Sequence, residues 1–336
     1  MYRRYTNFAI EAIEQTFNGT ADFGKRVTVT VSRNGDLITR AYLQVDIPKV
    51  TAEEDCTLQW TRNLGHILIK QVEVEIGGQR IDRQFGEWLT IWAELTLDAG
   101  KVVGYAEMIG NTVDMYGADP VKPAKRLYIP LQFWFNRNPG LALPLIALQY
   151  HEVKINLEFR PLSELLKCKD PEGANLGLPA GISLQAASMY FDYIYLDTDE
   201  RRRFAQVSHE YLIEQLQFTG EETITGANNK VRLNFNHPVK ELVWVARLED
   251  AETECQWANF TTGIEGSEEF AGGNPMVDAK LQLNGHDRFS ERQARYFNLV
   301  QPYQHHTNIP ATGIYVYSFA LRPKLWVKKY SCKMED

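Results

Sequence analysis

Residues 126–161, RLYIPLQFWFNRNPGLALPLIALQYHEVKINLEFRP, leave this chain few folds to choose from. Leu127, Ile129, Leu131, Phe133 and Phe135 recur at every second position, the period of a strand with one buried face. The NRNPG cluster at 136–140 predicts a turn. After an apolar run at 141–148 the alternation returns, with Val153, Ile155, Leu157 and Phe159 set against Glu152, Lys154, Asn156 and Glu158. A strand that is greasy on one side and charged on the other belongs in an antiparallel sheet with one wet face.

The same signal recurs along the chain. Val27, Val29 and Val31 alternate with Thr28, Thr30 and Ser32, and Leu43, Val45 and Ile47 continue the period until Pro48, predicting two strands. Val72, Val74 and Ile76 run into Gly77-Gly78, a two-residue hairpin turn that needs positive φ. Between Gly86 and Asp98 the period changes, and Trp88, Ile91, Trp92 and Leu95 mark one face of a short helix whose aromatic stripe is core packing. Residues 99–126 and 168–181, rich in Gly and Pro, read as long surface excursions. Residues 189–196 predict a further strand, and Asp197 with Glu200 predicts a capped helix at a linker.

The second half echoes the first. HILIKQVEVEIGG from His66 is matched by HPVKELVWV from His237, Gly77-Gly78-Gln79-Arg80 by Asn284-Gly285-His286-Asp287-Arg288, and LYIPLQFWF by GIYVYSFAL at 313–321. Two copies of one β unit follow. Helices are confined to connections, so each unit is an antiparallel sandwich and not a βαβ fold.

A chain of 336 residues, 44% apolar, can bury two cores. Its formal charge of -7 excludes a protein whose main work is gripping nucleic acid phosphates. Cys56, Cys168, Cys255 and Cys332 are far apart and form no CxxC pair, which signals free thiols in a reducing compartment and neither a zinc site nor a disulfide framework. No apolar run reaches bilayer-spanning length and no signal peptide opens the chain, so membrane insertion is not expected and a cytosolic product is.

Catalytic and metal-binding constellations are missing from the sequence. Metal-dependent sandwiches use a closely spaced HxH with a following Glu, whereas His305 and His306 are adjacent and would face opposite sides of a strand; loop positions suit them better. Glu53-Glu54 and Glu268-Glu269 lie in Gly-flanked acidic loops as solvated charge, and GxSxG, P-loop and GxGxxG motifs do not occur. No cofactor is expected. Asn259 and Asn18 open glycosylation sequons, Asn259 in a polar insertion being the better candidate. Lys324, Lys328, Lys329 and Lys333 form a basic cluster, read as a solvated tail.

Taken in order, RNGDLI at 33–38, IGGQRID at 76–82, the stretch 126–161, LDTDERRRFAQVSHEYLIEQ at 196–215, NFNHPVKELVWV at 234–245 and RYFNLVQPYQHHTNIPATGIYVYSFALRP at 295–323 resemble the major capsid proteins of nucleocytoplasmic large DNA viruses. The resemblance implies an all-β fold of two consecutive jelly-roll sandwiches, at 1–197 and 211–336, joined by a linker at 198–210. It implies a structural subunit, not an enzyme. Three chains would form a pseudo-hexagonal homotrimeric capsomer of an icosahedral shell, contacting other capsomers and minor capsid proteins, with no direct nucleic acid partner. Its place would be the virion, after assembly in the host cytoplasm. The alternative is a lectin-like sandwich, which would need an exposed aromatic platform or an acidic calcium loop. Far fewer residues follow Leu321 than follow Phe135 in the first copy, and residues after Arg322-Pro323 depart from the family, as does the start at Met1. Truncation at both ends is the expectation, with the closing strands of the second jelly roll missing.

Overall fold

A computed structural model of the chain describes residues 7–53, 55–264 and 272–323. Two compact units divide it: Met1–Thr90, Lys101–Gln215 and Glu252–Ala258 in the first, Ile91–Gly100, Leu216–Ala251 and Asn259–Asp336 in the second.

The first unit is built on eight principal strands: β1 (Phe8–Thr16), β2 (Arg26–Thr30), β3 (Leu37–Ile47), β4 (Ile69–Ile76), β5 (Gln79–Phe85), β6 (Lys125–Pro130), β7 (Val153–Phe159) and β8 (Ala186–Leu196). They pair antiparallel into two sheets, β1-β8-β3-β6 and β2-β7-β4-β5. Strands distant in sequence thus become neighbours, the long-range wrapping of a jelly roll. The predicted alternation sets the register: Ile155 stands opposite Val29 and Val74, and Leu157 opposite Val27 and Val72, so all six face inward. Leu43, Val45, Leu127, Ile129, Met189 and Phe191 meet them from the other sheet, in one core.

Local rules explain most of the connections. Gly77 and Gly78 take φ of 59° and 82°, closing the β4–β5 hairpin as expected. Helix α1 (Gly86–Thr96) lies where the change of period put it. Asp197 caps α3 (Thr198–Gln206), its carboxylate accepting from the Thr198 N–H at 2.7 Å; α2 is Val102–Ile109.

Two expectations are corrected, and one stretch left without an element is resolved. The strand read across 127–135 stops at Pro130, and Trp134–Arg137 is a helical turn. Asn136 holds it, accepting from the Phe133 N–H at 3.2 Å and donating to the Thr39 carbonyl at 2.8 Å. A turn can bury the consecutive Trp134 and Phe135, which a strand would send to opposite faces. The apolar run 141–148 forms only the short strand Leu143–Pro144, hydrogen-bonded to β3. The excursion 99–126 contains helices α2 and Val113–Tyr116, with Gly110 ending α2 in the left-handed region at φ 72°.

In the second unit β9 (Glu241–Val245) pairs antiparallel with β12 (Ile314–Ser318), and β10 (Gln282–Leu283) and β11 (His286–Asp287) form a hairpin through Asn284 and Gly285 at φ 51° and 83°. A π-helical turn, Tyr296–Val300, leads into α4 (Gln301–His305). Phe297, Tyr315 and Ala294 are buried together, with Trp244 and Phe289 packed against them. The order strand, hairpin, helix and strand returning to pair with the first matches β3, β4–β5, α1 and β6. HPVKELVWV is therefore the counterpart of β3, not of the β4 segment that it echoes in sequence. Residues 207–240 contain no regular strand.

Candidate functional site: the outer walls of the first unit

The distinctive surfaces of the first unit are the outward faces of its two sheets. On β2-β7-β4-β5 the outward positions are polar and satisfy one another. Arg26 and Arg80 reach Glu73 at 2.7 and 3.1 Å, Lys70 reaches Glu158 at 3.1 Å, and Thr28 donates to Asn156 at 2.7 Å. Asn156 in turn donates to Glu75 at 3.2 Å. Such cross-strand pairs hold register and leave a wall suited to water.

The other wall is different. On β1-β8-β3-β6 the outward positions include Tyr190, Tyr42 and Tyr128, on three neighbouring strands. Tyr42 and Tyr190 stack with centroids 5.1 Å apart and planes 1° from parallel, and Tyr128 meets Tyr42 edge-on at 6.3 Å. Phe8 and Ile10 continue this wall on β1, 51% and 55% exposed. Charges frame the rings: Arg126 grips Asp46 through two bonds of 2.6 and 2.8 Å. Burial, and then the Asp192 carboxylate, push the Tyr42 phenol above its usual range; burial and a hydrogen bond with Glu14 do the same for Tyr190. Both phenols stay protonated at neutral pH. The tyrosines stand in the outward half of each alternation, whereas the apolar period that marks a strand is carried by the inward half.

Inside the unit two polar clusters brace the connections. Arg160, of the FRP that ends the stretch, is buried; its guanidinium bonds Glu87 at 2.7 Å, Glu164 at 3.0 Å and the Ile67 carbonyl at 3.1 Å. The Trp257 ring lies 3.9 Å beneath it, and the indole N–H donates to the Glu164 carbonyl at 2.7 Å. Lys122, also fully buried, donates to the Asp114 carbonyl and the Asp119 carboxylate, each at 3.1 Å.

The residues singled out in the sequence do not converge. Asn18 is exposed and its backbone bridges to Thr28. Asn259 spends its side chain locally, donating to the Gly263 carbonyl at 2.8 Å and accepting from the Thr261 hydroxyl at 2.7 Å. His305 closes α4 and sits 3.0 Å from the Leu321 carbonyl, while His306 turns inward to within 2.8 Å of the Glu241 carboxylate. Cys56, Cys168 and Cys255 are buried free thiols, Cys255 raised to about 11 by burial. Cys332, Glu54, Glu268-Glu269 and the four lysines of the basic cluster lie outside the described residues. Among the described residues no three His, Cys, Asp or Glu side chains could hold a metal ion, and no helix is long and apolar enough to cross a membrane.

Comparison with known proteins accounts for this architecture. Residues 1–197 match the family model described as "Major capsid protein N-terminus", and residues 200–334 match "Large eukaryotic DNA virus major capsid protein". The major capsid protein of Pyramimonas orientalis virus is 51% identical, over 99% of this chain and 82% of its own length. That of Phaeocystis pouchetii virus is 44% identical, over 96% and 83%. The solved PBCV-1 virus capsid contains a chain that is 40% identical and superposes with a TM-score of 0.79 over 96% of this chain and 80% of its own. Its structural neighbours are double jelly-roll viral major capsid proteins. The antiparallel first unit and these matches agree: the chain belongs to the large eukaryotic DNA virus major capsid proteins, which are structural components of the virus shell and not enzymes.

Proposed function

We propose that this capsid subunit works as a homotrimer, three chains closing a ring whose six sandwiches give a pseudo-hexagonal outline. The observation that carries the reading is the internal repeat, since two like units per chain approach six-fold shape when three chains obey three-fold symmetry. We take the jelly rolls as residues 1–197 and 211–336, with α3 in the linker at 198–210. Capsomers would assemble in the host cytoplasm and rest on minor capsid proteins. Of the two sequons Asn18 is the better placed for a sugar, because its side chain is exposed while that of Asn259 is engaged. This reverses the ranking drawn from sequence. No relative described above carries a sugar-binding name, so the lectin-like alternative gains nothing from them.

Light scattering after size-exclusion chromatography tests the trimer directly. The expected mass is three chains at micromolar concentration; a stable monomer or dimer overturns the reading. Intact-mass measurement of the same sample, purified from virions, reads any sugar, which peptide mapping should then place at Asn18.

A further inference from the structure

Cys56 and Cys168 are far apart in sequence and meet inside the first unit. The short strands Thr57–Trp60 and Leu166–Lys169 pair antiparallel, with Lys169 opposite Thr57 and Cys168 opposite Leu58. Cys56 comes two residues before Leu58, so the alternation turns it to the same inward face, and both cysteines are buried in the first core. Diagonal neighbours across a regular ladder stand about 7–8 Å apart, which keeps short side chains from touching. Cys56, however, lies beyond the last ladder pair, in a turn. Asp55 before it takes φ 62°, and the Cys56 N–H donates to the Glu53 carbonyl at 3.2 Å. The turn brings the sulfurs together, and the Cys168 S–H donates to Cys56. Cys255, by contrast, directs its thiol to the Ser163 carbonyl at 3.5 Å.

Two thiols in contact can pack, hold a soft metal or join. Among the described residues no third His, Cys, Asp or Glu side chain completes a metal set there. Joining has the larger consequence. A bond from Cys56 to Cys168 closes a loop of roughly 110 residues, and the entropy removed from the unfolded chain grows with the length of the loop. It would also tie the turn before Thr57 to the base of the excursion at 168–181. Cytosolic thiols are kept reduced, whereas disulfides persist at virion surfaces.

We propose that Cys56 and Cys168 are a disulfide-forming pair, reduced while the chain folds and joined by a peroxide-class oxidant once the shell has left the cell. The timing rests on the reading of the chain as a subunit assembled in the host cytoplasm; the pair itself does not. Cys56 is the more exposed of the two, 8% against 4%, and meets the oxidant first. Its sulfur attacks one peroxide oxygen, the O–O bond breaks, and a sulfenic acid and one water result. The Cys168 sulfur then attacks that of Cys56, the S–S bond forms, and the hydroxyl leaves with the Cys168 proton as a second water. Two thiols are oxidised and one peroxide is reduced.

The test begins with the intact chain, purified under reduction, treated with hydrogen peroxide, alkylated with iodoacetamide and digested without reductant. The expected product is a pair of peptides linked through Cys56 and Cys168, lighter by two hydrogen atoms than the separate peptides together, with Cys255 alkylated. The thermal midpoint should rise by roughly 5–10 °C on oxidation and return with dithiothreitol. C56S and C168S should each lose the link and the shift, and C255S should keep both. The wild-type peptide map reads the link without any variant, so a variant that fails to fold does not decide the outcome. Oxygen added at either cysteine without a link, a link through Cys255, or a link between two chains overturns the pair. Virions and the lysate of the cells that made them, each alkylated at the moment of harvest, test the timing. A link in virion chains with free thiols in lysate chains supports it. A link already complete in the lysate, or absent from virions, overturns the timing, and a chain missing from virions overturns the capsid reading beneath it.

Discussion

His66 shows what a single side chain contributes in the first core. Its ring is buried, with Nδ1 3.1 Å from the Thr90 hydroxyl and Nε2 2.7 Å from the Tyr105 hydroxyl. Thr90 directs its own hydrogen to the Gly86 carbonyl, so Nδ1–H donates to Thr90 and Nε2 accepts from Tyr105, whose phenol burial keeps protonated. Burial lowers the imidazole from its ordinary 6.5 to about 3. The unfolded chain therefore binds the proton first, and this group's contribution, complete above pH 6.5, is lost as pH falls toward 3. Unfolding free energies from urea titrations should fall between pH 6 and 4 with an added slope approaching about 1.4 kcal/mol per pH unit, absent in His66→Gln. A pH response identical in wild type and variant would contradict the buried neutral ring. Arg160 supplies the second residue-scale case. Arg160→Met should cost about 3–5 kcal/mol in denaturant unfolding, because Glu87 loses its buried partner and Trp257 its cation.

Among the elements, α1 depends on close approach at its first residue. A Cβ on Gly86 would meet the carbonyl oxygens of His66 and Ile69, backbone atoms that cannot rotate away. Gly86→Ala is thus expected to destabilise the first unit by about 3 kcal/mol, the upper range for overpacking, although alanine favours helix elsewhere. Thermal unfolding followed by circular dichroism reads this; an unchanged midpoint would mean that α1 shifts without cost. The element scale is also where alternation misled. Pro130, Asn136 and the consecutive Trp134 and Phe135 outvoted the period of 127–135, because a hydrogen-bonded turn buried more ring surface than a longer strand could.

At the scale of the whole molecule the units exchange segments of chain. Glu252–Ala258 joins the first unit through Trp257, through Glu254 bonded to Lys169 at 2.7 Å and through the Cys255 thiol near the Ser163 carbonyl. Ile91–Gly100 joins the second, where the N–H groups of Thr307 and Asn308 donate to the Leu95 carbonyl, each at 3.2 Å, and Ala311 N–H to Glu94 at 2.9 Å. Residues 219–231 are exposed without a regular strand. Limited proteolysis should therefore cut first at Glu221, Glu222 or Lys230, and a fragment ending there should outlast all later cleavages. First cuts inside β1–β8 would refute that order of stability.

Period and turn chemistry are local, so the amino-acid sequence alone determined the all-β class, the core faces of β2, β4 and β7, the glycine hairpin, helix α1 and the Asp197 cap. Six short segments in order were enough to point to the capsid family. Long-range pairing is not written in any one segment, and tertiary structure alone decided which strands became neighbours. It paired HPVKELVWV with β12 and so made it the partner of β3 in the repeat. It assembled Arg160, Glu87 and Trp257 from three distant places. It also brought Tyr42, Tyr128 and Tyr190 side by side, because antiparallel register aligns residues by their place across the ladder and not by their distance along the chain.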